Sequence, residues 1–96
     1  MSNDIDHLYM ELTERPVKIK VVYLANVEVM EQLDLAGKGT LFHHKDGYPI
    51  FSVKQPVEYS FGSADAYVGD WLVAHGPDTW RVMSDGEIKA KFQFND

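Results

Sequence analysis

The residues of this chain whose types can do chemistry are its histidines and its loop carboxylates. His43 and His44 are adjacent and precede Asp46, while His75 precedes Asp78. One of the paired histidines, joined across a sheet to Asp46 or to His75 and Asp78, supplies the donors of a two-histidine, one-carboxylate metal site. Neighbours on a strand point to opposite faces, so His43 and His44 do not share an ion. The spacing follows no ligand pattern, solvated loop histidines are the ordinary reading, and no metal or cofactor is expected. Asp65, Asp70, Asp78 and Asp85 gather in the C-terminal loops. General acid–base work would need one of them in an apolar pocket with a raised pKa, yet all four occupy turn or cap positions. Ser52, Ser60, Ser63 and Ser84 fit no nucleophile elbow. The absence of cysteine excludes thiolate catalysis, disulfides and cysteine zinc sites. Gly37-Lys38-Gly39-Thr40 lacks the full frame of a phosphate loop and is read as a plain connection. No catalytic residue is assigned, and the chain is read as a non-enzyme.

The elements that must position these groups follow from periodicity. Ile5, Leu8, Tyr9 and Leu12 recur at helical spacing over residues 4–14, with Asp4 and Asp6 in the first turn and Pro16 closing the segment. This predicts a short N-terminal helix, so residues 1–15 read as an extension ahead of a single domain over 16–96. From Pro16 to Leu24 the period changes to two, with Val17, Ile19, Val21 and Tyr23 opposite Lys18 and Lys20, the pattern of a strand. Asn26 and Gly37 stand as the cap and left-handed stop of a helix over 27–36, rich in Glu, Met, Gln and Leu. Val27, Val29, Leu33 and Leu35 also alternate as a strand would, so both readings stay open there.

Strands over 41–44 and 48–53 flank an Asp46-Gly47 hairpin turn. Alternation over 57–61 adds another, and 62–65 reads as a surface turn. A further hairpin joins 70–74 to 79–83, and Ser84 with Glu87 forms a capping box opening a short helix. Phe92 to Phe94 then alternates as a last strand. The fold class is α+β: a mainly antiparallel sheet of five or six strands with one or two short helices on one face, plus the N-terminal helix.

Val68-Gly69-Asp70-Trp71-Leu72-Val73, followed by the capped helix and the aromatic tail, resembles the C-terminal signature of small phage and prophage proteins. They carry a Pro-Gly-Asp-Trp/Tyr strand, a crossing helix and an aromatic strand; here Val68 replaces the usual proline. The resemblance is strongest over 68–94 and topological before that. It implies a compact α+β fold and a phage origin, and it brings no known chemistry. Physically, Gly69 suits a turn needing positive φ, Asp70 can bond the turn backbone, and Trp71 anchors the core as the strand begins.

With 96 residues the chain suits one domain, and an apolar content of 45% excludes wholesale disorder. The net charge of -6 repels phosphate, so direct nucleic-acid binding is not expected. That charge is read either as solubility or as an acidic surface docking on a basic groove. The acidic N-terminus lacks the marks of a signal peptide, no apolar run suits a membrane, and a cytoplasmic location is expected. Tyr48 and Tyr67 lie beside predicted turns, where exposed aromatics favour protein interfaces. With Asp4, Asp6, Glu11 and Glu14 they are the candidate protein-binding residues. By elimination and by the resemblance, the expected function is that of an accessory protein that binds a host or phage protein and inhibits or modulates a host or defence component. The alternatives are a small-molecule-binding or metal-dependent enzyme-like domain, and a virion or assembly component forming homo-oligomers.

Overall fold

The computed structural model describes residues 5–14, 17–56, 62–76 and 78–92. In chain order, a 3-10 turn (Asp6–Leu8) leads into β1 (Tyr9–Glu14) and β2 (Val17–Tyr23), then α1 (Val27–Leu35). Then follow β3 (Thr40–His43), β4 (Pro49–Lys54), β5 (Ser63–Ala66), β6 (Trp71–Ala74), β7 (Trp80–Met83) and α2 (Asp85–Lys91). The class is α+β, and all strand pairs among the described residues are antiparallel. Instead of one sheet of five or six strands, the described residues form two: a four-stranded sheet in the order β1-β2-β6-β7 and a three-stranded sheet in the order β3-β4-β5. No helix among the described residues is long and apolar enough to cross a membrane.

The four-stranded sheet is apolar on both faces. Val22, Leu72 and Trp80 point into a core shared with α1 and the inner face of the three-stranded sheet, where Met30, Leu33, Phe51 and Val53 meet them. Val21, Trp71, Val73 and Met83 point the other way, into a second core closed by Ile88 and Phe92 of α2 and its cap. Alternation along each strand therefore sends large apolar side chains both ways.

That double covering explains the correction at the N-terminus. Residues 9–14 form a strand where helical spacing predicted a helix. Tyr9 pairs with Val22 and packs against the shared core, while Leu12 pairs with Ile19 and is 1% exposed in the second core. Apolar residues needed on opposite faces of a strand happened to mimic one face of a helix. Ile5, also buried, belongs to the shared core. Full burial of one such side chain contributes about 1.5–3 kcal/mol, so this segment is part of the packed domain and not a helical appendage.

Other elements follow their local chemistry. The Asn26 Oδ1 accepts the Val29 N–H at 3.1 Å to start α1. At its end, Lys38 N–H donates to Leu33 O and Gly37 N–H to Asp34 O, a Schellman closure with Gly37 at φ 78°. Helix wins over strand there because only Met30 and Leu33 are buried, while Leu35 lies 73% exposed. The capping box of α2 closes as read: Ser84 Oγ accepts the Glu87 N–H at 3.2 Å, and Glu87 Oε1 accepts the Ser84 N–H at 3.1 Å.

The expected surface turn at 62–65 is a second correction, because Ser63–Ala66 is strand β5. Ala64 and Ala66 pair with Val53 and Phe51, small residues beside large ones, so packing overrides their turn-like composition. The expected strand over 57–61 and the end of the Phe92 to Phe94 strand lie outside the described residues.

Candidate protein-binding face

The three-stranded sheet has one face in the shared core and one turned outward. Phe51, Val53 and Ala66 occupy the inner face. Phe42 pairs with Ile50, and Tyr67 lies one residue beyond the Phe51–Ala66 pair, so Phe42, Ile50 and Tyr67 fall on the outer face. Tyr48 shares the parity of Ile50 and joins them.

Two turns set this face. In the hairpin between β3 and β4, Gly47 N–H donates to His44 O at 2.7 Å and His44 N–H to Tyr48 O at 2.9 Å. Gly47 sits at φ 98°, as a three-residue hairpin loop with a bulge requires. This closure places His44 directly opposite Tyr48, and their rings stack at 4.5 Å with 9° between planes. The His44 Nδ1 accepts the Asp46 N–H at 3.1 Å, which fixes the imidazole.

The second turn is the Gly-Asp motif. Asp70 N–H donates to Tyr67 O and the Asp70 carboxylate accepts the Tyr67 N–H, both at 2.9 Å. Gly69 takes φ 97° at the third turn position, where only glycine is unstrained. Gly69 N–H and Leu24 N–H, donating to Leu24 O and Asp70 O, tie the turn to the end of β2. Asp70 thus aims Tyr67 on one side while Trp71, 5% exposed, enters the second core on the other.

The result is a patch of aromatic rings. Tyr48 and Tyr67, well separated in sequence, meet at 6.1 Å with planes tilted by 50°. Phe42, Tyr48 and Tyr67 are each 43% exposed. Ile50 beneath them is only 5% exposed although it is part of neither core. Sequence reasoning singled out the two tyrosines but missed Phe42, Ile50 and the stacking of His44. The Asp-Gly hairpin signal carried that register, since pairing outward from it sets Phe42 against Ile50.

The acidic candidates do not join this patch. Glu11 is exposed on β1, in the other sheet. Asp4 and the side chains of Asp6 and Glu14 lie outside the described residues. Of the groups considered for metal chemistry, Asp46 meets His44, whereas Asp78 pairs with Lys38 at 3.5 Å. Among the described residues, no group of three or more His, Asp or Glu is placed to hold a metal ion. Asp85 serves structure: its carboxylate accepts the Trp71 indole N–H at 3.0 Å and pairs with Lys89 at 3.0 Å. The Trp71 bond first, and Lys89 after it, hold its pKa below the usual carboxylate value. Compared with family models, curated proteins and solved structures, the chain matches none.

Proposed function

We propose that this chain is a small accessory protein that works by binding another protein, with the outer face of the three-stranded sheet as its contact surface. The observation that carries the reading is the meeting of Tyr48 and Tyr67 beside Phe42 and over Ile50. Tyrosine and phenylalanine concentrate at interface centres because they cover much apolar area at low entropic cost. The turn bonds at Gly47 and Asp70 hold these rings in place before any partner arrives, which lowers the ordering cost of association. With a net charge of -6, the protein is drawn to a basic partner surface, and that attraction weakens with salt. The resemblance of 68–94 to phage proteins supports a host or defence component as the partner and the cytoplasm of the infected cell as the location. No reaction is part of this reading.

The test is capture from a bacterial lysate by the tagged protein and by a Tyr48→Ser/Tyr67→Ser double variant with an unchanged thermal melt. A protein retained by the first and lost by the second supports the reading. Equal retention by both overturns this face as the contact surface.

A further inference from the structure

A different part of the same sheet carries a cluster of lysine and hydroxyl side chains. At the Lys54 end of β4, away from the tyrosines, a cavity of about 340 Å³ is lined by residues including Lys38, Thr40, Ser52, Lys54, Ser63 and Asp78. That volume lies at the small end of ligand pockets, which run from about 300 to 1,000 Å³. Its lining is unlike an ordinary apolar pocket: two lysines, three hydroxyl residues and one carboxylate, with Val53 and the Gly37 and Gly39 backbone. The described lining thus carries two cations and one anion, and Asp65 stands across from Ser52 on the same face.

The loop that supplies Lys38 is held on three sides. The Schellman bonds of Gly37 and Lys38 tie it to α1. The Lys38 carbonyl accepts the Trp80 indole N–H at 3.1 Å. Gly39 lies so close to β4 that a Cβ there would stand 2.6 Å from the Phe51 ring and 2.7 Å from Ser52 O. The Schellman bonds occupy the Leu33 and Asp34 carbonyls at the end of α1. The loop follows a helix and does not precede one, so this is not a phosphate loop.

We propose that this cavity binds a small phosphorylated molecule through its phosphoryl group. Lys38 and Lys54 supply the charge, and the hydroxyls of Thr40, Ser52 and Ser63 supply neutral donors, a combination matched to a tetrahedral anion rich in acceptors. Asp78 is the gate to this charge. Its side chain is 65% exposed, and its 3.5 Å pair with Lys38 is of the weak, exchangeable kind, so an incoming phosphoryl group shares or displaces it.

The probe is inorganic phosphate, titrated by calorimetry at constant ionic strength and followed in parallel by amide NMR shifts. Saturable binding with a dissociation constant on the order of 1 mM is expected, with shifts centred on Lys38, Thr40, Ser52 and Lys54. Lys38→Ala and Lys54→Ala should each weaken it about tenfold, and Asp78→Asn should tighten it about threefold. Far-UV circular dichroism checks that each variant folds, and Lys54→Gln serves where Lys54→Ala does not. The Tyr48→Ser/Tyr67→Ser variant should bind phosphate normally, which separates this site from the aromatic face. Failure to saturate, shifts centred elsewhere, or an affinity indifferent to both lysines would overturn the proposal.

Discussion

The two sheets of this molecule are built from similar antiparallel ladders but are covered differently. The four-stranded sheet lies between two cores, one shared with α1 and the other sheet, one closed by α2. The three-stranded sheet gives one face to the shared core and leaves Phe42, Tyr48 and Tyr67 on the other. Covering both faces yields stability and leaves little surface for recognition. Covering one face yields less stability per strand but frees a surface whose side chains two turns can aim. The proposed division of labour between fold and binding rests on that asymmetry.

Removing residues 1–15 is the largest way to break the comparison. It takes away an edge strand paired over six positions, together with Leu12 from one core and Ile5 from the other. Read as an extension ahead of a domain over 16–96 whose first strand begins after Pro16, these residues would be dispensable for folding. The packing of β1 leads to the opposite expectation: the truncated protein should lose its cooperative urea transition. If it melts cooperatively near the full-length midpoint, the four-stranded sheet does not need its double covering at that edge.

A paired substitution sharpens the contrast between buried and open faces. Trp80 is 1% exposed in the shared core, stacks on Tyr9 at 6.0 Å and donates its indole N–H to Lys38 O. Trp80→Ala should cost about 3–5 kcal/mol, as large aromatic truncations do. Phe42→Ala, on the open face of the other sheet, should cost about 1 kcal/mol or less. Urea melts of both variants give the two numbers directly. A Phe42 cost matching that of Trp80 would mean that the outer face is a third core and not a contact surface.

How much of this was legible depended on how many faces a strand had to cover. The hairpin at Asp46-Gly47, the Gly69-Asp70 turn and the Ser84–Glu87 box were readable because their chemistry is local, set by a backbone dihedral or a hydrogen bond within three residues. β1 was misread because a strand covered on both faces loses the alternation that marks strands, and Tyr9 with Leu12 then imitates a helix. β5 was misread because Ser63 to Ala66 has turn-like residues and becomes a strand only through its large partners on β4. The aromatic face was half legible. Tyr48 and Tyr67 stood out singly, but their meeting depends on β4 and β5 pairing across an intervening stretch, which no local signal encodes. The cavity was hidden for the same reason, since it brings Lys38, Lys54, Ser63 and Asp78 together from separate elements.

The smallest effect concerns how α2 is held over the four-stranded sheet. Asp85 accepts the Trp71 indole N–H and pairs with Lys89, and both interactions favour its charged form, so its folded-state pKa lies below the unfolded value. Glu87 is lowered likewise, first by its bond to the Ser84 backbone and then by the Ser84 side chain. A carboxylate with a depressed folded pKa contributes stability that is fully present above its unfolded pKa. That contribution is lost as pH falls from the unfolded value through the folded one, from about 3.8 downward for Asp85 and from about 4.5 downward for Glu87. Urea midpoints at pH 6 and pH 3 should therefore fall by more in the wild type than in Asp85→Asn. The difference should be small, because Asp85 is 47% exposed and solvent screens its charge. Asp85→Asn keeps an acceptor for the Trp71 N–H, so its midpoint at pH 6 should drop only slightly. An equal acid-induced loss in both proteins would show that α2 is held by Ile88 and Phe92 alone, with the covering of the four-stranded sheet a purely apolar matter.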